Sequence, residues 1–434
     1  MTEEKQDGAG ADERHSLFGG LVDKFVSAIA HKDAHGQEKP DEMAAQAAAP
    51  QAVPGDAADG AEVAAGADDD DDEVEELPGD IHPLDEEATP AETPEDGRRT
   101  VNLALQGGGS HGAFTWGVLD ALLEDGRLEF EGISGTSAGA MNAVVMAHAF
   151  AKAGEEGLEG EQAREAARAA LRRFWDSVGM MGSIATGVPV PGMQNLVHMA
   201  TQWLAPTQIN PLGVNPLLRL VKREVDFDLL ARQSKMKVFV NATNVRTGRG
   251  EVFSGRHLTA DAVMASACLP MLYQAVQING EYYWDGGYSG NPVIYPLIYH
   301  TKSVDVLLVQ INPIEIPQAP GMTAAEINER INDITFNMPL LAEFRAMDFI
   351  TRLIDEGRLD TKRYKRMCVH RIDGGEVLMQ YNVTSKARAD SQFVHALFEN
   401  GRQAGEQWLA NHFDDVGKRS TIDLLGGRRH STHI

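Results

Sequence analysis

Two short stretches of the chain decide its fold: VNLALQGGGSHG at residues 101–112 and FEGISGTSAG at residues 130–139. Each opens on a strand pattern and runs into small residues just before a helical pattern. The apolar residues from Phe114 to Leu123 recur at helical spacing, and that pattern stops at Gly126. Strand, helix and strand of these lengths predict a βαβ unit, whose two strands should be parallel and adjacent.

The alternation of strands and helices continues towards the C-terminus. Strands are predicted at 236–245, 281–284, 304–313 and 367–372, and helices at 162–178, 323–357 and 391–413. In the second helix, Thr323 and Glu326 have capping-box spacing, Pro339 should introduce a kink and Gly357 should end the helix. One face of this helix carries Ile327, Ile331, Ile334, Met338 and Leu341.

The charge of the chain is concentrated in an N-terminal arm. Of the net charge of −25, residues 1–97 carry −23 and residues 98–434 only −2. The nearly neutral body argues against nucleic acid as a partner, because phosphate binding needs a basic surface. Residues 36–97 are rich in Ala, Pro, Gly, Asp and Glu, and this composition predicts a disordered segment.

Residues 16–31 interrupt the polar arm with one apolar helical stripe. The stripe suits a helix that packs on the folded body; the alternative is an interfacial or partner-binding helix on a flexible tether. Because its polar face is not enriched in Lys or Arg, the first interpretation is favoured.

The chain contains only two cysteines, Cys268 and Cys368, in a spacing that suits neither a disulfide framework nor a metal site. The acidic N-terminus does not resemble a secretory signal, and no apolar run of about 18 residues indicates a membrane span. We therefore expect a cytoplasmic protein. The Met-rich stretch within residues 180–220 suits either ordinary core or an adaptable wall for an acyl chain.

Three motifs can carry chemistry. GTSAG at 135–139 is G-x-S-x-G between a strand and a helix, where a sharp turn presents Ser137 and the flanking positions must be very small. GGGSHG at 107–112 also lies between a strand and a helix, and Asp285 opens the D-G-G motif that follows the strand EYYW.

The first glycine motif also fits the dinucleotide fingerprint G-x-G-x-x-G. A nucleotide site would place a carboxylate at the end of the next strand to hold the ribose, and residues 134–137 contain none. The glycines therefore indicate an oxyanion hole, in which backbone N–H groups converge on one small volume.

A serine nucleophile needs a base, and two candidates remain open. The order Ser137, Asp285, His370 matches that of an α/β-hydrolase triad, but His370 lies in a strand-like run, where a structural role is the default. Asp285, at a tight turn, can itself act as the base if desolvation raises its pKa towards the working pH.

Together the three motifs resemble those of the patatin-like phospholipase family, which occur in this order, and ASACLP at 265–270 is similar to the family's A-S-x-A-x-P segment. The resemblance covers roughly residues 100–315. It implies a Ser–Asp dyad without histidine, with Ser137 as nucleophile and Asp285 as base. It also implies an oxyanion hole formed by the N–H groups of Gly107, Gly108 and Gly109, with turns supported by Gly112, Gly135, Gly139, Gly286 and Gly287.

One position departs from the family pattern, which places Arg or Lys where this chain has His111. We expect His111 to orient the glycine loop rather than to take part in the reaction. Asn241 and Asn244, at the end of a predicted strand, are expected either to brace the site or to form an ordinary turn.

The resemblance implies a three-layer α/β/α hydrolase with a mostly parallel central sheet. We expect a disordered arm with one amphipathic helix (1–97), a catalytic domain (98–315) and a mainly helical extension (316–434), similar to that of a bacterial subgroup. The expected activity is that of a serine lipid acyl hydrolase that cleaves glycerolipid or phospholipid esters without metal or organic cofactor and contacts membranes peripherally. The alternatives are an acyltransferase, a polyester depolymerase and a non-catalytic lipid-binding scaffold.

Overall fold

The computed structural model describes residues 97–186, 215–316, 323–381 and 383–424. The predicted arm, including the helix at 16–31, lies outside these residues, as does most of the Met-rich stretch. Among the described helices, none combines the length and the apolar character that crossing a membrane requires.

The N-terminal half of the described chain contains the predicted βαβ unit. Its elements are β1 (Arg99–Leu105), α1 (Gly112–Asp125), β2 (Leu128–Gly135), α2 (Ala138–Glu155), α3 (Gly160–Thr186), α4 (Pro216–Glu224), α5 (Phe227–Gln233), β3 (Lys237–Asn244) and β4 (Gly250–Phe253). β1 and β2 pair in parallel, which confirms the predicted unit.

The C-terminal half adds four strands and five helices to the described chain. These are α6 (Ala260–Ser266), β5 (Val276–Ile278), β6 (Glu281–Asp285), α7 (Tyr295–His300), β7 (Asp305–Gln310), α8 (Ala324–Asp355), β8 (Cys368–Asp373), α9 (Gly375–Met379) and α10 (Ser391–His412). Three-residue 3-10 turns occur between several of them, and a longer 3-10 segment spans Val383–Ala387.

Hydrogen-bonded pairs connect the strands into one mixed sheet along the path β5-β6-β3-β2-β1-β7-β8, and β4 also pairs with β3. The central strands from β3 to β8 run parallel, and β4, β5 and β6 add antiparallel pairs at one side. The centre therefore matches the predicted parallel sheet, and the antiparallel strands lie beside β3.

Alternate residues of the central strands point to two separate cores. Leu103, Leu105 and Leu307 pack in one core with helices α1, α2, α3 and α10. Ala104 and Leu308 pack in the other, with side chains from α7 and α8. This period-two alternation is what a sheet covered on both faces requires, and it confirms the three-layer α/β/α architecture.

The C-terminal region takes part in both helical layers and in the sheet. β8 pairs with β7, and α10 packs against α1 so closely that a Cβ on Gly117 would lie 2.0 Å from the carbonyl oxygen of Phe398. Glu343 of α8 accepts hydrogen bonds from the N–H groups of Ile294 and Tyr295 at the start of α7. Residues beyond 316 therefore contribute directly to the packing of the described residues before them.

Helix α8 begins with the predicted capping box: Thr323 Oγ1 accepts from the Glu326 N–H, and Glu326 Oε2 accepts from the Thr323 N–H. The helix continues past Pro339, and Gly357 follows its end with φ +69°. Its predicted apolar face points outward: Ile327, Ile331, Ile334 and Met338 are 44, 53, 44 and 61% exposed.

Candidate active site

Ser137 occupies a sharp turn between β2 and α2. Its φ of 54° and ψ of −119° are strained for a residue with a side chain, and such strain concentrates at functional sites. The flanking glycines allow this turn, since a Cβ on Gly139 would lie 2.2 Å from the carbonyl oxygen of Leu105 and one on Gly135 2.5 Å from that of Gly139. The turn thus presents the serine at the end of the sheet.

The sheet register explains why Ser137 and Asp285 meet. Val240 of β3 pairs with Gly135 of β2, and two residues further on Ala242 pairs with Asp285 of β6. β4 pairs with both Val240 and Ala242 and so occupies one side of β3 at these residues. β2 and β6 must therefore both lie on the other side of β3. They run towards each other there, so their C-terminal ends face each other across a short gap.

The Ser137 side chain lies close enough to the Asp285 carboxylate to favour its ionised form and lower its pKa. The Ser137 N–H donates to Ser266 Oγ at 2.9 Å, and the neighbouring Thr136 hydroxyl donates to the Gly290 carbonyl oxygen at 2.8 Å. The serine turn is therefore held by Ser266 and Gly290.

Asp285 is only 1% exposed. Burial raises its pKa to about 7, because a desolvated carboxylate is costly, although the hydrogen bond from the Gly287 N–H, at 2.7 Å, and the nearby Ser137 side chain oppose this shift. A carboxylate with a pKa near neutrality can accept a proton from a hydroxyl and return it at physiological pH.

The glycine loop after β1 lies beside the serine. A Cβ on Gly107 would lie 2.6 Å from the Ser137 Cβ. The Gly107 N–H donates to Asn291 Oδ1 at 2.6 Å, and the Gly107 carbonyl oxygen accepts from Asn312 Nδ2 at 2.7 Å. The Gly108 carbonyl oxygen accepts from the His111 N–H at 3.2 Å, and Gly109 has a φ of +58°.

The two asparagines at the end of β3 have different roles. Asn241 Nδ2 donates to the carbonyl oxygens of Gly286 at 2.9 Å and Gly290 at 3.1 Å, which braces the turn after Asp285. Asn244 Oδ1 accepts from the N–H groups of Arg246 and Thr247 and forms an ordinary turn. Each of the two predicted alternatives therefore applies to one residue.

The structure places His370 away from the serine. It lies in β8, is fully buried, and its Nε2 hydrogen-bonds to Asp305 Oδ1 at 2.9 Å. β8 is separated from β2 by β1 and β7. The Ser137–Asp285–His370 arrangement that the chain order allows is therefore not assembled in this structure.

His111 is 2% exposed and contacts the C-terminal region. Its Nε2 hydrogen-bonds to Ser385 Oγ at 2.8 Å, and its ring packs near those of Tyr381 and Phe393. Burial, together with the positive charge of Lys386, lowers the pKa of His111 to about 3, so the imidazole is neutral near pH 7.

Several polar residues around the site were not singled out from the sequence. Gln106 Oε1 accepts from the N–H groups of Ile311 and Asn312, and Asn312 in turn contacts Gly107. Gln106 follows β1 and Asn312 lies shortly after β7. Polar residues just beyond the C-terminal ends of parallel strands are a pattern from which both could have been found.

Comparison with known proteins finds one family model that matches part of the chain. No curated protein matches the chain. Among solved structures, the crystal structure of VipD from Legionella pneumophila is 17% identical over 77% of this chain and 71% of that chain, with a TM-score of 0.33. Residues 103–298 match the family model of the patatin-like phospholipases, and this range contains the glycine loop, the serine turn and Asp285. The chain therefore carries a patatin-like phospholipase domain at residues 103–298.

Proposed function

We propose that this chain is a serine lipid acyl hydrolase that cleaves the carboxylic esters of glycerolipids or phospholipids with a Ser137–Asp285 dyad. The observation that carries this proposal is that the sheet brings Ser137, on a strained turn, to the buried carboxylate of Asp285, whose pKa is about 7. The patatin-like domain supports lipid acyl hydrolysis as the reaction class.

In the first half of the reaction, Ser137 Oγ attacks the ester carbonyl carbon while its proton passes to Asp285. The C–O bond to the alcohol then breaks, and the protonated Asp285 returns the proton to the departing alkoxide. The products of this half are the free alcohol and an acyl ester on Ser137.

In the second half, a water molecule takes the place of the alcohol. Asp285 accepts its proton as the water oxygen attacks the acyl carbonyl carbon, and the proton then returns to Ser137 Oγ as the acyl–serine bond breaks. Water is the only reactant besides the ester, and the two halves together restore the enzyme.

The negative charge on the carbonyl oxygen needs donors in both halves. We assign this role to the N–H groups of Gly108 and Gly109. The Gly107 N–H, the third expected donor, hydrogen-bonds to Asn291 Oδ1 and would have to leave it to contribute. Asn291 thus fixes the start of the loop, and the two following amides complete the hole.

Exposed apolar side chains near the site support a lipid surface as the source of substrate. Met271, Leu272 and Tyr273 are 59, 43 and 42% exposed, and they follow Cys268, whose carbonyl oxygen accepts from the Asp285 N–H. The outer face of α8 adds a second apolar strip. We propose that the protein contacts membranes peripherally through these two surfaces. The two cysteines are free and buried, which suits a cytoplasmic location.

The test compares purified wild type with Ser137→Ala and Asp285→Asn, using a fluorophosphonate probe and then p-nitrophenyl esters of increasing chain length. Ser177→Ala, at a half-buried position of α3, and Asp228→Asn, at an exposed position of α5, serve as matched controls. We expect labelling and turnover in wild type and both controls, loss of both with Ser137→Ala, and a loss of turnover of about 10³-fold or more with Asp285→Asn.

Turnover that survives in folded Ser137→Ala and Asp285→Asn would rule out the dyad. Analysis of the products from phospholipid and an added alcohol separates hydrolysis from acyl transfer, since the second reaction yields a new ester instead of the free acid.

A further inference from the structure

A segment of the C-terminal region lies directly against the glycine loop. In the 3-10 segment Val383–Ala387, the Lys386 backbone approaches Gly109 so closely that a Cβ there would lie 2.3 Å from the Lys386 carbonyl oxygen. The preceding residue, Ser385, hydrogen-bonds to His111 at the other end of the loop. The segment therefore contacts the loop at two points.

The Lys386 ammonium group extends from this segment to a buried amide. Its Nζ donates to Asn312 Oδ1 at 2.8 Å and to Asp333 Oδ1 at 3.0 Å. Because an ammonium group can only donate, Asn312 must turn its oxygen towards Lys386. Asn312 Nδ2 then faces the opposite way, where it donates to the carbonyl oxygens of Gly107 at 2.7 Å and the Gln106 side chain at 3.1 Å.

The direction of the Gly107 carbonyl group decides where the next amide points. The carbonyl of Gly107 and the N–H of Gly108 belong to one planar trans peptide unit, in which the C=O and N–H bonds point in opposite directions. A hydrogen bond that holds the carbonyl oxygen therefore also fixes the direction of the Gly108 N–H. This N–H is one of the two oxyanion donors proposed above.

We propose that Lys386 is a positioning residue for the oxyanion hole: through Asn312 it holds the Gly107–Gly108 peptide in the orientation that aims the Gly108 N–H at the reacting carbonyl. The inference rests on the proposed hydrolase function. Lys386 touches neither substrate nor Ser137, and its contribution comes from the order it imposes on Asn312.

The alternative is that Lys386 only attaches the C-terminal region to the sheet. Lys365 provides a matched control for that role. It also lies in the C-terminal region, is buried, and donates to a backbone carbonyl oxygen of the catalytic region, that of Ile298, at 2.6 Å. Lys365 contacts the end of α7 rather than the glycine loop, so its loss should lower stability without affecting the oxyanion hole.

The experiment measures kcat, KM, the rate of fluorophosphonate labelling and thermal unfolding for wild type, Lys386→Met, Lys386→Arg and Lys365→Met in the full chain. We expect Lys386→Met to lower kcat and the labelling rate about 10- to 100-fold with little change in KM, since direct removal of a donor costs about 10²–10³-fold. Lys386→Arg should restore most of kcat, because Arg also only donates. Lys365→Met should lower the unfolding temperature and leave kcat near the wild-type value.

A double variant tests the route through Asn312. If Lys386 acts by orienting Asn312, then Asn312→Ala and Asn312→Ala with Lys386→Met should have the same kcat, because the second change removes nothing further. Additive losses, or a Lys386→Met variant that behaves like Lys365→Met, would overturn the positioning role. If the wild type is neither labelled by the probe nor active on esters, the proposed hydrolase function is wrong. If the wild type is active but the Lys386 variants do not behave as expected, only the positioning role of Lys386 is wrong.

Discussion

The serine turn and the glycine loop lie side by side but are built in different ways. The turn is formed by consecutive residues of one strand, one bend and one helix, from β2 to α2. The loop is held by residues far away in the chain: Asn291, Asn312, Ser385 and Lys386. The shape of the serine turn therefore follows mainly from its own consecutive residues, with support from Ser266 and Gly290, whereas the orientation of the loop amides depends on contacts with the C-terminal part of the described chain.

The largest effect should come from a change that forces the two regions apart. In Gly107→Ala, the added Cβ would lie 2.6 Å from both the Ser137 Cβ and the Thr136 carbonyl oxygen. We expect ester turnover to fall by about 10³-fold or more and the free energy of unfolding by about 1–3 kcal/mol. Turnover assays and denaturant unfolding measure the two effects.

The matched control for this change is Gly154→Ala. It lies in α2, where an added Cβ meets nothing within 4 Å. It should keep full turnover and gain up to about 1 kcal/mol from better helix propensity. Wild-type turnover in Gly107→Ala would show that loop and turn need not touch.

The second prediction concerns Asp285, where a rise in pH should change activity and stability in opposite directions. The folded pKa of Asp285, about 7, lies above its ordinary value of 3.8, so the folded state binds a proton more tightly than the unfolded state. Its contribution to stability is thus complete at low pH and is lost as the pH rises from about 4 through 7, by about 4 kcal/mol in all. Ester turnover should follow the opposite trend and rise through the same range, because the base must be ionised.

Asp285→Asn should therefore be inactive yet more stable than wild type at pH 8, with a gap that narrows towards pH 5. Thermal unfolding across this range measures the gap. Glu343→Gln is the control, because burial also raises the pKa of Glu343 to about 7, and it should show the stability trend while retaining activity. A constant gap between wild type and Asp285→Asn would contradict the raised pKa.

On the loop side, His111 should make the protein sensitive to acid. Its pKa of about 3 lies below the ordinary 6.5, so the stability that the neutral ring contributes is lost as the pH falls below about 6.5. His111→Gln preserves a polar group for Ser385 but cannot titrate. Near pH 7 the two proteins should be similar in stability, and at pH 4.5 the variant should be favoured by about 2–3 kcal/mol in denaturant unfolding. If the free energy of unfolding of wild type and His111→Gln fell by the same amount between pH 7 and pH 4.5, this prediction would be wrong.

The smallest effect should come from a substitution on α8 that leaves the serine turn and the glycine loop unchanged. Ile331 is 53% exposed on the outer face of α8. Ile331→Asp should lower turnover of phospholipid in vesicles by about 10-fold at subsaturating lipid, because it removes apolar area from the proposed membrane contact. Soluble short-chain esters should be turned over at the wild-type rate. Asn332→Asp, which adds the same charge on α8, is the control, and equal losses in both variants would point to charge alone.

The sequence predicted the sheet and the serine turn for physical reasons, whereas the Ser137–Asp285 dyad was implied by the resemblance. Buried strands such as β1 and β7 are marked by continuous apolar runs, and glycines flank Ser137 because only the smallest residues fit its turn. The catalytic roles of Ser137 and Asp285 remain predictions that the kinetic tests decide.

The contacts that hold the loop could not be predicted in this way. Lys386 and Asn312 are 74 positions apart, and no periodicity in the sequence relates them. The pattern on α8 was also incomplete as a guide to packing. The helix buries Asp333, Asn337, Leu340 and Phe344, while four of the five apolar residues of its regular stripe remain exposed. The polar members of this buried set contact Lys386 and Gln106, which the local pattern cannot reveal.

The contact between His111 and Ser385 spans 274 positions of the chain, and this separation has a consequence for synthesis. Chains are made from the N-terminus, and their early segments begin to fold before the late ones exist. The ribosome completes the serine turn long before it reaches Ser385 and Lys386. Once residues up to Gly290 have been made, the nascent chain contains both partners of the serine turn, Ser266 and Gly290, whereas the glycine loop gains its contacts with Ser385 and Lys386 only after about 95 more residues.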